Sequence, residues 1–404
     1  MPLIVQKYGG TSIADAERIK HVAQRIGAAH DKGNQVVAVV SAMGDTTDQL
    51  IELAHEINPA PAPREMDLLL STGELVSCTL VAMALHGLGY PAIGLSGAQA
   101  GVRTDSTHRK ARIVALEPER VTRELERGNI VIVAGFQGVT PDMDITTLGR
   151  GASDLTAVAL AAALKAERCE IYTDVEGIYT ADPHLVPEAR KLKEIGYEEM
   201  LELASSGAKM QPRSIELAAV YQVPVLVTSS FAEVPGTLIH GGVTMELRNK
   251  VRGVAVDRNV AKITVLGVPD RPGIAASLFE PLAEVGVSVD TIVQNASVER
   301  VTDVTFTVAR GDLHQALKVV EPVAKEIGAR GCEAAQGLAK VSVVGTGMQN
   351  APGYAAAMFR ALYEAGINIE MITTSEIRIT CIVAEDTVPA AVRALHKAFR
   401  LEEE

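Results

Sequence analysis

The chain has 404 residues, of which 47% are apolar and only 3% aromatic, with no Trp, so two or three domains with aliphatic cores are expected. A net charge of −12 excludes nucleic acid as a partner and argues against anionic membranes, so a phosphate site has to be a local positive pocket. Cys78, Cys169, Cys332 and Cys381 show no paired spacing, which excludes a disulfide framework or a zinc cluster and fits four reduced thiols in the cytoplasm.

The opening MPLIVQKYGG lacks the basic-then-apolar pattern of a signal peptide, and no run of 18 apolar residues predicts a membrane span. Up to about residue 240 the pattern is strand, Gly-rich turn, helix, repeated. Val- and Ile-rich runs at Leu3–Val5, Val36–Val40, Ile130–Val133, Cys169–Tyr172 and Val225–Val227 predict parallel strands buried on both faces. Helical stretches at Asp15–Ala29, Glu65–Leu85 and Asp154–Ala166 lie between them. The alternation predicts an α/β fold with a mostly parallel sheet sandwiched by helices. Asn58–Arg64 reads as a Pro-rich loop, and the Pro-Gly and Gly-Gly breaks in Val234–Val243 as the end of the first domain.

The second half holds an internal repeat. Ile263–Phe279 matches Val341–Phe359, with Pro272, Gly273, Phe279 and Gly286 answered at a constant offset by Pro352, Gly353, Phe359 and Gly366. Each unit continues through Val287–Asn295 or Ile367–Thr374 into Val301–Val308 or Glu376–Val383. A βαββαβ order results, predicting small sheets with helices on one face.

Three segments carry chemistry. Lys7-Tyr8-Gly9-Gly10-Thr11-Ser12 follows the first strand; its glycines let backbone N–H groups approach an anion, and Lys7 is placed to bridge transferred and leaving phosphates. Thr146–Asp154, TTLGRGASD, precedes an apolar helix: Ser153 or Asp154 could cap it, but capping leaves Gly149-Arg150-Gly151 unexplained. Arg150 can grip a carboxylate bidentately, and Asp154 can orient Lys7 or Mg²⁺-bound phosphates. Thr173–Pro183 follows another strand and is dense in turn residues, equally readable as a plain loop or a nucleotide cradle. All three fall beyond carboxyl ends of predicted parallel strands, where open α/β sheets bind ligands.

Together KYGGTS, VVSAMG at Val39–Gly44, STGE at Ser71–Glu74, TTLGRGASD and TDVEGIYTADP resemble the aspartate kinases of the amino-acid kinase superfamily, and the two Pro-Gly repeats resemble tandem ACT domains. The resemblance implies a catalytic domain over residues 1–245 and ACT domains over 246–330 and 331–404. It implies that Lys7, Tyr8, Gly9, Gly10, Ser41, Thr173, Asp174, Tyr179, Asp182, His184 and Lys209 hold ATP. Thr47, Glu74, Arg150, Gly151, Ser153 and Asp154 would hold L-aspartate, with Glu74 on its ammonium and Arg150 on its α-carboxylate. Mg²⁺ would come mainly through ATP, with no direct side-chain ligand. Position 152 is Ala where the family usually has Gly, Gln211 stands where many relatives have His, and His184 where Arg is frequent.

By the same resemblance, Asp270, Gly273, Ile274, Ala275, Gln294 and Asn295 would form one effector site for threonine. Asn368, Ile369, Thr374 and Ser375 would complete others, with lysine as a further effector. The implied assembly is a homodimer or larger oligomer through ACT pairing, and Met245 is a candidate internal start for a short regulatory subunit. Other acyl-phosphate-forming amino-acid kinases share the glycine loops but lack the GRGxSD run and ACT pair. A non-catalytic amino-acid sensor would have lost Lys7, Arg150 or Asp154, and all three are present.

Overall fold

The computed structural model describes residues 1–242, 251–295, 301–348 and 352–403. Met245 and the 245/246 boundary lie outside the described residues. The described chain divides into two compact units, the first comprising residues 1–179, 191–205 and 209–242, the second 180–190, 206–208, 251–295, 301–348 and 352–403.

The first unit carries β1 (Leu3–Tyr8), α1 (Ala16–Asp31), β2 (Gln35–Val40), α2 (Thr46–Ile57), α3 (Pro63–Gly87), β3 (Ala92–Leu95), β4 (Val102–Thr104), β5 (Ile113–Leu116), α4 (Glu119–Glu126), β6 (Ile130–Ala134), β7 (Gln137–Val139), β8 (Ile145–Thr147), α5 (Ser153–Ala163), β9 (Arg168–Thr173), β10 (Glu194–Ile195), α6 (Tyr197–Ser205), α7 (Pro212–Tyr221), β11 (Val225–Ser229) and β12 (Thr237–Ile239). Its eight-stranded sheet has the order β10-β12-β11-β9-β1-β2-β6-β3, and every pairing is parallel except β11 with β12. Val36–Val40 and Ile130–Ala134 are buried on both sides, as a strand covered by helices on both faces has to be. Ile19, Val22, Ala23 and Ile26 of α1 form the apolar stripe that meets Cys78, Val81, Ala82 and Leu85 of α3 over one face. Helix α5, buried almost all round, lies against β1, β2 and β9.

A second sheet, β5-β4-β7-β8, stands apart and carries the approach to TTLGRGASD. Among the described helices, α3 has the length and apolarity to cross a membrane; here it packs on β3, β6 and α1 and buries Asp67 and Glu74 on its inner face.

The second unit carries β13 (Gly253–Pro269), α8 (Ile274–Glu284), β14 (Val289–Gln294), β15 (Val301–Val308), α9 (Leu313–Glu326), β16 (Gly331–Val344), α10 (Tyr354–Glu364), β17 (Met371–Thr374), β18 (Arg378–Ala384) and α11 (Val388–Ala398). One six-stranded sheet, β14-β15-β13-β16-β18-β17, joins the two repeats through β13 and β16. Residues Lys262–Leu266 pair with Gly331–Ala335, and Gly253–Asp257 pair with Lys340–Val344. Each of these long strands therefore serves both repeats, and the sequence boundary at 330/331 falls where a shared strand begins. The Pro-Gly turns put Gly273 at φ +93° and Gly353 at φ +105°, a backbone region that L side chains rarely enter.

Candidate active site

The loops after β1 and β2 meet first. A Cβ on Gly10 would stand 2.8 Å from the Ala42 carbonyl oxygen, so only glycine permits this approach. The N–H of Gly44 donates to Gly10 O at 3.1 Å across the same junction. From the other side of this loop, Ala42 N–H donates to Glu74 Oε1 at 3.1 Å. Glu74 is buried, and its Oε2 has no hydrogen-bond partner among the described residues. Burial pushes its carboxyl up to about 7 against the opposing Ala42 hydrogen bond. An unpartnered buried carboxylate oxygen of this kind is suited to receive a cation.

Lys7 Nζ lies 2.7 Å from Asp154 Oδ1, with the two side chains only 12% and 11% exposed. Little water screens the pair, so its field is strong and its orientation fixed. Gly9 sits beside the ammonium: a Cβ there would stand 3.4 Å from Nζ. Asp154 and Ser153 open α5, and Ser153 packs against Gly135 just after β6. The end of β1, the turn after β6 and the start of α5 thus meet around the Lys7–Asp154 pair.

Beyond β9, Thr173 Oγ1 donates to Asp174 Oδ1 at 3.1 Å, and Asp174 is ion-paired with Lys209. Burial opposes ionisation of Asp174, yet the Lys209 ammonium holds its carboxyl below the usual range. Tyr179 donates its hydroxyl to Glu176 at 3.4 Å, and Lys191 pairs with the same carboxylate. Ser41 N–H donates to Tyr8 O, and Thr47 stands half-buried in the first turn of α2. Arg150 is exposed and ion-paired with Asp48, while a Cβ on Gly151 would lie 3.6 Å from Gln211 Cγ.

The Tyr8 ring is fully buried and stacked on Tyr172 at 4.8 Å, with its hydroxyl donating to Gln6, so the phenol faces the core and not a nucleotide. Asp182 and His184 belong to the segment 180–190, whose Ala181 and Val186 are buried in the second unit's core. Of the expected effector residues, Ile274 is buried in the core beneath α8 and Ile369 packs on that of the second repeat, whereas Asp270, Ala275, Gln294, Asn295, Asn368, Thr374 and Ser375 are exposed.

Other residues tie the site together, Ser12 from within KYGGTS and the rest outside those motifs. Ser12 and Ser230 share a hydrogen bond of 2.8 Å, and Ser230 donates to Thr173 O, tying together the ends of β1, β9 and β11. Arg213 donates to Leu148 O and Ala111 O beneath the GRG loop. No local pattern marks Ser230 or Arg213, and all three side chains act through partners far away in sequence.

Residues 2–229 match the amino acid kinase family, and residues 262–325 and 341–399 each match an ACT domain. The chain belongs to the amino acid kinase family. It is 51% identical over 407 residues to an aspartokinase of Mycolicibacterium smegmatis, covering 99% of this chain and 97% of that one. It is 50% identical to an aspartokinase of Thermus thermophilus, with both chains covered in full. The structure of E. coli aspartokinase III with aspartate and ADP, in the R-state, superposes with a TM-score of 0.84 at 28% identity, covering 98% of this chain and 99% of that one. The T-state of that enzyme, with lysine and aspartate, gives 0.72 at 27% identity. Within the family the chain therefore stands among the aspartokinases, as a kinase with two ACT domains.

Proposed function

We propose that the site transfers the γ-phosphoryl group of MgATP to the side-chain carboxylate of L-aspartate, giving 4-phospho-L-aspartate and ADP. This is the first step toward lysine, threonine and methionine. The observation that carries this reading is the pairing of a desolvated Lys7–Asp154 couple with the unpartnered oxygen of Glu74 around the abutting loops at Gly10 and Ala42. The aspartate and ADP bound to E. coli aspartokinase III support it.

A substrate carboxylate with a pKa near 4 is already ionised at neutral pH, so no general base is required. The bond that forms joins a carboxylate oxygen to the γ-phosphorus; the bond that breaks releases ADP. The obstacle is repulsion between an anion and a polyanion, which alignment and fixed positive charge must overcome. Lys7 supplies that charge, and the backbone at Gly9 and Gly10 lines the phosphate side. Glu74 takes the substrate ammonium, and Arg150 takes the α-carboxylate, with Thr47, Gly151 and Ser153 completing the pocket. Thr173, Asp174, Tyr179 and Lys209 border the nucleotide. Mg²⁺ supplies neutralising charge when it arrives with the triphosphate, and Asp154 is the carboxylate this chain holds beside Lys7.

The ACT domains are the place for feedback by threonine, lysine or both, and for pairing of subunits; lysine bound to the T-state of E. coli aspartokinase III supports the first. The test is ADP release with aspartate, glutamate, N-acetylglutamate or no acceptor, with and without threonine and lysine. Aspartate-dependent release that Lys7→Ala reduces at least a thousandfold, with folding intact, is the expected result. Equal rates with glutamate, or an active Lys7→Ala, would refute the reading.

A further inference from the structure

Asp67 is fully buried on α3, seven residues before Glu74 and on the same face of the helix. Among the described residues, every hydrogen bond to its carboxylate comes from the polypeptide around the GRG loop. Thr147 Oγ1 donates to Oδ1 at 2.6 Å; Arg109 N–H donates to Oδ1 at 3.1 Å and Oδ2 at 2.9 Å; His108 Nδ1 lies 2.9 Å from Oδ2. The His108–Oδ2 contact is a hydrogen bond in the tautomer that carries its proton on Nδ1.

Thr147 ends β8, two residues before Gly149, and Ala111 N–H donates to Thr147 O at 2.9 Å. A Cβ on Gly149 would lie 3.6 Å from Arg109 O, so the GRG turn rests on the 108–111 loop. Arg109 has φ +69°, an unfavourable backbone state for a residue with a side chain. The hydrogen bonds of its N–H to Asp67 hold it there. Strain of this kind persists where surrounding contacts over-determine it, and it gathers at functional sites.

From this geometry we infer that Asp67 is a positioning residue for aspartate binding: with Thr147, Arg109 and His108 it fixes the GRG loop to α3, setting the separation between Arg150 and Glu74. The inference rests on the reading of Arg150 and Glu74 as the two ends of the aspartate site. Asp67 itself touches no substrate. Its loss loosens the spacing of two groups that must grip one small molecule together, while the Lys7–Asp154 pair and Asp174–Lys209 on the nucleotide side are held by other contacts.

The experiment is steady-state kinetics on the full chain. Asp67→Asn should raise the KM for aspartate tenfold or more and leave the KM for MgATP within twofold. Thr147→Val should raise the aspartate KM at least threefold, and Thr147→Ser should restore it. A purely structural role would lower the unfolding temperature without separating the two KM values. Should Asp67→Asn not fold, Thr147→Val and His108→Gln carry the test. An unchanged aspartate KM in folded variants, alongside an Arg150→Ala control that does raise it, overturns the clamp alone. An Arg150→Ala enzyme with parental KM overturns the reading beneath it, and the clamp with it.

Discussion

Arg150 and Asp48 are ion-paired, Nη2 to Oδ1 at 2.7 Å, joining the loop before α5 to the first turn of α2. The guanidinium proposed for the α-carboxylate of the substrate thus already holds a carboxylate of the chain itself. The two side chains are 78% and 52% exposed, so water screens the pair and its worth is at most about 1 kcal/mol. Substrate can therefore displace Asp48 at small cost. Replacing Asp48 by Asn should lower the KM for aspartate by up to about fivefold with kcat unchanged. A raised KM would instead make Asp48 part of the binding site.

Glu74 links pH to both binding and stability. With its carboxyl pushed up to about 7 by burial, the free enzyme loses the negative charge that an ammonium needs as pH falls below that value. The kcat/KM for aspartate should decline on the acid side with a single ionisation near 7. Glu74→Gln should remove that limb and lower kcat/KM at least a hundredfold at pH 8. Stability runs in the opposite direction. A folded-state value above the ordinary 4.5 means stability fully present below pH 4.5 is lost as pH rises through about 7. At pH 8 the substrate-free Glu74→Gln variant should be more stable than the parent by about 2 kcal/mol, seen as a higher unfolding temperature. Equal unfolding temperatures at pH 8 would show that the ionised carboxylate is not strained in the free enzyme.

The sequence shows the strand ends of the catalytic unit because β2, β6 and β11 carry Val- and Ile-rich runs and β1 opens on Leu3-Ile4-Val5, as strands buried on both faces do, whereas β9 reads RCEIYT and is marked only by the short Cys169–Tyr172 stretch. It hides the four-stranded sheet, whose members are three or four residues long and too short for a period to register. Lys7 and Asp154 are visible as a motif at a strand tip and a motif at a helix start, but their contact is a product of the fold. Glu74 stands within a long helix where nothing local marks it; only the resemblance picks it out, and its unpartnered oxygen appears only in three dimensions. Asp67 and Thr147 are 80 residues apart, beyond the reach of any local pattern. Tyr8 misleads for the opposite reason. It adjoins the glycine loop in sequence, but alternation along a strand turns its side chain away from that of Lys7 and into the core.

His396 on α11 offers a pH probe of the second unit. Its Nε2 lies 3.0 Å from Thr180 Oγ1 in a buried contact, and Glu402 is 3.6 Å from Nδ1. Arg190, whose N–H donates to the same Thr180 hydroxyl, also donates from Nε to Leu401 O. The segment that bears Asp182 and His184 is thus fastened to α11 at one end and to Leu401, just beyond α11, at the other. Burial holds His396 below the ordinary 6.5, with Arg190 acting in the same direction and Glu402 and Glu188 opposing. The unfolded chain therefore takes up a proton at a higher pH than the folded one, so stability present above pH 6.5 is lost as pH falls through the folded value. Hydrogen exchange of the α11 amides should quicken as pH drops below 6.5, after correction for the intrinsic rate. Replacing His396 by Gln should flatten that dependence while keeping a partner for Thr180. An α11 whose protection is equally pH-dependent in the Gln variant would assign the acid sensitivity to other groups.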